Sequence, residues 1–323
     1  KLSASGEHLW STYLGGDRVD VGAGIALDSD GNVLVTGSTE SEGWVSGGWD
    51  TSFNRILDGF VVKLSNSGEH LWSTYLGGGG QDLGYGIAVD GNNNVLVTGW
   101  TRSSGWVSGG WNTTLGGNFH DGFAVKLSAS GAHLWSTYLG GSSSDWGNGI
   151  AVDGDGNVLV TGHTESEGWV TGAWDTSFNG GGEDGFVVQL SASGAHLWST
   201  YLGGSNSDWA NGIAVDGAAN VLVTGHTESE GWVTGGWDTS FNEGSDDGFV
   251  VQLSASGAHL WSTFIGGNMG DVGYGITVDS ANNVLVTGST YSADWVSGGL
   301  DTTHNGFSDG FAVNLSATGA HLW

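Results

Sequence analysis

Short apolar runs recur along the chain, set apart by stretches rich in Gly, Ser, Asn and Asp. Between residues 149 and 202 the runs are Gly149–Asp153, Val158–Gly162, Gly185–Leu190 and His196–Leu202. Their length, β-branched content and lack of a 3.6-residue stripe predict four strands, A to D, and no helix. Strands A to C are almost continuously apolar, as in Val158, Leu159 and Val160 or Phe186, Val187 and Val188. That pattern belongs to a small sheet covered on both faces. The A–B connection Asp153-Gly-Asp-Gly-Asn157 and the C–D connection Ser191-Ala-Ser-Gly-Ala195 read as tight hairpins. The B–C connection, His163 to Asp184, is long and carries paired tryptophans.

The unit repeats. His-Leu-Trp-Ser-Thr-Tyr-Leu-Gly-Gly or a close variant returns with its indole at Trp10, Trp72, Trp135, Trp198 and Trp261, and a truncated copy ends at Trp323, spacings of 62 or 63 residues. Such periods mark propellers or solenoids. The prediction is an all-β fold, a single β-propeller over 1–323 with five four-stranded blades of about 62 residues. The blades are placed at 17–78, 79–141, 142–204, 205–267 and 268–323, the last completed by 1–16, with closure by pairing of the terminal strand-D segments. The ends are redundant, however. Lys1–Gly16 is a strand D without its own A to C, while Asn314–Trp323 repeats Lys63–Trp72 in type and begins the same strand. Both cannot occupy one place. The chain is therefore expected either to be cut from a longer array or to exchange strands D head to tail between subunits. An open solenoid stands as the alternative to the ring.

The motifs Gly-Ile-Ala-Val-Asp, Asn-Val-Leu-Val-Thr-Gly, Asp-Gly-Phe-Val-Val-Gln-Leu-Ser and Leu-Trp-Ser-Thr-Tyr-Leu-Gly-Gly resemble the bacterial beta-propeller repeat family SBBP across all five repeats. The resemblance implies an NHL-like propeller of secreted or cell-surface bacterial proteins, most of them without an assigned activity. Where that family has a Phe-Pro-Thr-Thr-like stretch after strand B, this chain has Trp-Val-Ser-Gly-Gly-Trp-Asp-Thr and no proline. The resemblance thus informs fold more than role.

Charge narrows the partners. Against 34 Asp and Glu stand 6 Lys and Arg, a net charge of -28, which repels phosphate backbones and anionic head groups. Nucleic acid and membrane insertion are excluded as expectations, the latter also because no apolar run reaches 18 residues. Cysteine is absent, removing disulfides and thiolate metal sites, and the acidic composition fits an extracellular or cell-surface location. The start at Lys1, without Met or signal pattern, is expected of a mature or excised piece.

With 18 tryptophans, the B–C loops supply the candidate ligand-binding residues: Trp44, Trp49 and Asp50; Trp106 and Trp111; Trp169, Trp174 and Asp175; Trp232, Trp237 and Asp238; and Trp295. Indole faces stack on sugar C–H groups and carboxylates accept from hydroxyls, so a multivalent lectin is one reading. Packing between blades is the other. The long loops and the D–A loops bearing Trp146 and Trp209 are expected to gather on one face. The A–B hairpins, such as Asp28-Ser-Asp30-Gly-Asn32, place oxygens as a calcium loop does, but only two of the five copies keep the middle carboxylate, so turn chemistry accounts for all. Calcium between acidic B–C loops remains the one cofactor to consider. His163 and His226, beside Glu165 and Glu228, are weighed as metal ligands or loop histidines. The five strand-D histidines read as structural. Gly77–Gly80 lacks the Lys-Ser/Thr of a phosphate loop, and near-identical repeats offer no singular catalytic centre. The expectation is a non-catalytic scaffold whose partners are copies of itself, surface proteins or glycans.

Overall fold

A computed structural model describes residues 1–54, 56–242 and 244–323; among them every regular element is a strand. The chain divides into two compact units, residues 1–139 and 140–323. The first holds two antiparallel four-stranded sheets, β1 (Asp20–Leu27), β2 (Val33–Thr39), β3 (Asp58–Leu64) and β4 (His70–Leu76), then β5 (Asp82–Val89), β6 (Val95–Thr101), β7 (Asp121–Leu127) and β8 (His133–Leu139). The second holds β9 (Asp145–Val152), β10 (Val158–Thr164), β11 (Asp184–Leu190) and β12 (His196–Leu202). It continues with β13 (Asp208–Val215), β14 (Val221–Thr227), β15 (Asp247–Leu253) and β16 (His259–Ile265), and ends in a three-stranded sheet of β17 (Asp271–Val278), β18 (Val284–Thr290) and β19 (Asp309–Leu315). Each sheet follows chain order, and within each unit strand A packs beside strand A of the next sheet.

Strand D falls where the pattern places it, at His196–Leu202. Strand A begins earlier, at Asp145 rather than Gly149, because the turn-like Asp-Trp-Gly-Asn is absorbed as a β-bulge with Asn148 the extra residue. Opposite the bulge the chains approach so closely that a Cβ on Gly162 would stand 1.8 Å from the Trp146 carbonyl oxygen, so only glycine fits there.

The core is built between sheets. Trp72 and Leu76 of β4 pack against Val95, Val97, Phe123 and Val125 of the next sheet, and Trp198 and Leu202 do the same for Val221, Val223, Phe249 and Val251. The other face of strand D carries Tyr75, Tyr138 and Tyr201, fully buried, whose hydroxyls donate to the carbonyls of Ser41, Ser103 and Ser166 at 2.6–2.8 Å. The N-terminal segment mimics a strand D. Trp10 and Leu14 lie on the first sheet's core, and the Trp10 indole donates to the Asn66 carbonyl at 3.0 Å, as Trp72 does to Ala129 at 3.1 Å.

Each of the first four sheets is held at one end by a hydrogen-bonded staple. In the third, the Trp169 indole donates to Thr164 Oγ1 (3.1 Å), Thr164 Oγ1 donates to Asp145 Oδ1, and Asp145 Oδ2 accepts from Ser166 Oγ and the Gly141 amide, both at 3.0 Å. The first, second and fourth sheets repeat it with Asp20, Asp82 and Asp208. Thr164→Val would leave a buried carboxylate oxygen and an indole N–H unpaired. We expect it to cost about 3 kcal/mol, read as a lowered urea midpoint, whereas Ser193→Ala in an exposed hairpin should cost under about 0.5 kcal/mol.

Candidate functional site

In the first four sheets the B–C loop, instead of standing clear of its sheet, descends along the outer edge of its own strand D and pairs with it in parallel, at Gly47 with Ser73, Gly109 with Ser136, Gly172 with Ser199 and Gly235 with Ser262. The Ser73 amide donates to Ser46 and the Tyr75 amide to Asp50. The physical reason is the free hydrogen-bonding edge of strand D, which an unpaired loop would leave open.

The first tryptophan of each loop is taken up by the staple. Trp44, Trp106, Trp169, Trp232 and Trp295 donate to Thr39, Thr101, Thr164, Thr227 and Thr290 at 3.0–3.1 Å, and their rings lie edge-on to a core Phe at 5.1–5.2 Å. The second tryptophan stays at the surface. Trp49, Trp111, Trp174 and Trp237 are 36–40 % exposed. Trp49 stacks on His133 at 4.2 Å, Trp174 lies over His259 at 4.3 Å and Trp237 over His321 at 4.2 Å. Beside Trp49 and Trp237 run shallow grooves of about 420 and 490 Å³, each floored by two glycines and walled by the following C–D hairpin. Asp50, Asp175 and Asp238 cap their own loops, accepting the amides of Ser52, Ser177 and Ser240 at 2.8–2.9 Å.

The A–B hairpins use their carboxylates in the same way. Asp28 accepts from the Asp30 and Asn32 amides, and its second oxygen meets Lys63 Nζ at 2.9 Å. Lys126 does this for Asp90 at 2.9 Å, while Gln189 and Gln252 donate to Asp153 and Asp216. The strand-D histidines 70, 133, 196 and 259 bond the Ser three residues on at 2.9 Å.

What varies between repeats is concentrated elsewhere, at the bulged end of strands A and B. The cross-strand pairs there are Val21 with Ser38, Leu83 with Trp100, Trp146 with His163, Trp209 with His226, and Val272 with Ser289. The residue before strand C varies with them: Leu57, His120, Glu183, Asp246 and Ser308. In the second unit these positions meet. The buried His163 ring lies between Trp146 at 4.3 Å and Trp209 at 4.2 Å, parallel to the latter within 2°. Asn148 Nδ2 bonds His163 Nδ1 at 3.1 Å and the Ala210 carbonyl at 2.9 Å; with the amide hydrogens used so, Nδ1 accepts and the imidazole keeps its proton on Nε2. Trp209 continues the stack to His226 at 5.3 Å and donates its indole N–H to Glu183 at 2.5 Å. Burial raises the Glu183 carboxyl, with Glu165 and Glu228 adding repulsion. Burial also holds His226 below its ordinary range. In the first unit Trp100 donates to the Tyr85 hydroxyl at 2.9 Å and packs on His120 at 4.9 Å, whose pKa burial lowers to about 4. His163 and His226 are thus stacking elements. Among the described residues no three His, Asp or Glu side chains are placed to hold a metal ion.

The SBBP beta-propeller repeat profile matches residues 9–43, 71–105, 134–168, 197–231 and 260–294, just over half the chain. The chain belongs to the SBBP family. Among curated proteins these repeats are 25 % identical, over 89 % of this chain and 26 % of the relative, to an uncharacterized WD repeat-containing protein, L264, of Acanthamoeba polyphaga mimivirus. They are 26 % identical, over 84 % of this chain and 29 % of the relative, to the regulatory protein FlaEY of Caulobacter vibrioides. The chain therefore spans less than a third of either. Among solved structures, a protein of unknown function from Bacteroides caccae aligns over 99 % of this chain and 85 % of its own at 12 % identity and a TM-score of 0.47. A gluconolactonase from Xanthomonas campestris aligns over 96 % and 87 % at 13 % identity and 0.39.

The SBBP repeats carry an unusual electrostatic load. Asp58, Asp145, Asp184 and Asp247 are raised to about 7, and Asp208 to about 6, by burial first, with carboxylate neighbours such as Asp82 beside Asp58 adding to it. A carboxyl whose folded pKa exceeds its unfolded value of about 4 binds its proton more tightly when folded. Its stabilisation is complete below pH 4 and is lost as pH rises through 7. Asp28 and Asp90, where burial is outweighed by their Lys and Asn bonds, act in the opposite sense, as do His120, His133, His196, His226 and His259, lowered by burial; the histidine contribution is exhausted above their unfolded value of about 6.5, where the raised carboxyls are still losing protons. The urea midpoint at fixed ionic strength is expected to fall from pH 7 to pH 8, and to fall less in Asp58→Asn.

Proposed function

We propose that this chain is a non-catalytic interaction scaffold, extracellular or at the bacterial cell surface, that associates with copies of itself head to tail through its terminal strand-D segments. The observation that carries the reading is that the repeated polar side chains are committed to the staple, to their own turns and to neighbouring serines. Lys1–Trp10 folds as a C–D hairpin on the first sheet, with Leu9 donating to the Lys1 carbonyl and Trp10 on Asn66. Leu322 likewise bonds Asn314 at the far end, beside a sheet of only three strands. The same hairpin is present twice, at surfaces that match by repetition. Pairing of these segments within one chain would close a five-bladed ring; pairing between chains would extend an array. Absence of a catalytic role is supported by how the repeated polar groups are used, since the staple, the Asx turns and the Ser-bonded histidines direct them inward or to the backbone.

A second reading, multivalent glycan binding, is favoured by the half-exposed Trp49, Trp111, Trp174 and Trp237 and by the grooves beside the first and last of these. Trp44, Trp106, Trp169, Trp232 and Trp295 do not contribute a free face to it. Light scattering over a dilution series, followed by a glycan array, separates the two. The scaffold reading expects mass to grow with concentration and no glycan signal. A monomer at every concentration that binds glycans would transfer the conclusion to the lectin.

A further inference from the structure

All six basic residues lie within residues 1–126, so the second unit, 140–323, sets 21 Asp and Glu against no Lys or Arg. Its carboxylates have no Lys or Arg of their own unit to pair with. At one place in that unit they gather beside aromatic rings. The Trp209 indole donates to Glu183 at 2.5 Å, and the Glu183 carboxyl is pushed up by burial first and then by Glu165 and Glu228. Both of these neighbours are exposed. The rings bring no positive charge either. His163, between Trp146 and Trp209, accepts from Asn148 through Nδ1, and burial holds His226 below its ordinary range, with its Nδ1 buried and unpartnered.

The second sheet shows what such a place can hold. Arg102 stands at the repeat position of Glu165 and Glu228, and its guanidinium carbon lies 5.9 Å from the Trp100 ring centre, within cation–π range. His120 stands where Glu183 does. There the chain supplies its own cation over an indole. In the third and fourth sheets indoles are present as Trp146 and Trp209, while acid stands in place of the cation. Acid alone does not make the place: Glu40 has the same repeat position in the first sheet, but with Val21 and Ser38 instead of rings.

We propose that this part of the second unit receives an arginine side chain from a basic segment of a partner protein, its guanidinium against the indole–imidazole stack and its donors on Glu183 and the flanking Glu165 or Glu228. A guanidinium is planar and carries a rigid fork of donors, so it stacks on an indole and bonds a carboxylate at once, whereas an ammonium is a strongly hydrated point charge. The uncompensated field of the unit's carboxylates steers a basic segment toward it. The same field disfavours free arginine, which brings a carboxylate of its own.

The test follows the Trp209 indole N–H by NMR, assigned with Trp209→Phe, while the intact chain is titrated with the end-blocked peptide Gly-Arg-Gly. A saturable shift in the millimolar range is expected, weakened at least about tenfold when citrulline replaces arginine and weakened also as salt is raised from about 0.05 to about 0.5 M. Lysine in place of arginine should bind more weakly. Glu165→Arg, which gives the third sheet the residue type that the second sheet carries at that position, is expected to abolish binding with the fold kept, and Glu183→Gln to weaken it several-fold. Asp155→Arg makes the same charge change in the A–B hairpin of the third sheet and should leave binding within about twofold. A Trp209 signal unmoved by the peptide would overturn the site, as would equal binding of the citrulline peptide or equal losses in Asp155→Arg and Glu165→Arg. Free arginine binding more tightly than the peptide would overturn the protein partner in favour of a small molecule. Calcium that by itself moves the Trp209 signal and displaces the peptide would overturn the guanidinium in favour of a metal ion.

Discussion

A carboxylate removed from water costs several kcal/mol unless hydrogen donors replace its hydration, and every complete sheet of this protein commits a Thr hydroxyl, a Ser hydroxyl and a backbone amide to that task. Asp145 shows the consequence. Its two oxygens draw Thr164 at the end of strand B, Ser166 in the B–C loop and Gly141 in the D–A turn to one point, and Thr164 in turn accepts the Trp169 indole. Three segments distant in sequence are fixed by one side chain. The tyrosine of strand D then closes over the assembly through the Ser166 carbonyl. Loops this long and rich in glycine would lose considerable entropy on ordering; the staple directs them into one path, down the edge of strand D, where they also cover its free hydrogen-bonding groups.

Because the staple accounts for Asp, Thr, Ser and the first Trp in each repeat, those residues recur for structural reasons and say little about role. Positions outside its reach are free to differ, and they differ together. Trp146, His163, Trp209, His226 and Glu183 occupy one end of strands A to C in the second unit, where the first and fifth sheets have Val and Ser. An alternating stack of indole and imidazole beside a carboxylate is more elaborate than the site needs for packing alone, since Val21 and Ser38 fill it in the first sheet. Diversity superposed on a constant frame is how repeat proteins separate stability from recognition.

Much of this was legible in the chain itself. The repeat, the four strands, the tight hairpins and the strand-D limits follow from alternation, turn residues and period, since these are local properties. The Asx chemistry of the A–B turns was readable from the loss of the middle carboxylate in three copies. Strand A was read short, because Asp-Trp-Gly-Asn has turn propensity and a bulge depends on the partner strand, here on Gly162. The path of the B–C loops was misplaced for a similar reason: parallel pairing of Gly172 with Ser199 joins residues far apart in sequence and leaves no periodic trace. Trp44 and Trp49 look equivalent as letters, yet one serves a buried threonine and the other lies half in water. The stack around His163 carried a signal that comparison of the repeats with one another would have shown, since Trp146 and His163 depart from the pattern at cross-strand positions.

Near-identity of the repeats has a further physical consequence for the junctions between sheets. Within each unit a junction buries Trp and Leu of one strand D against the next sheet, and it seats a tyrosine or phenylalanine of that strand in its own sheet. Surfaces this alike invite pairing out of register between neighbouring sheets. Ordinary proteins avoid such pairing with charge, proline or a covering loop; this chain has no proline, and its covering loops need a strand D to lie on. Charge is the remaining guard. With 34 acidic and 6 basic residues, long-range repulsion opposes random contact between copies and is screened within about 8 Å at physiological salt, while the specific junction, desolvated and hydrogen-bonded, is little affected. The same composition thus discourages indiscriminate contact without weakening the repeated junctions inside each unit.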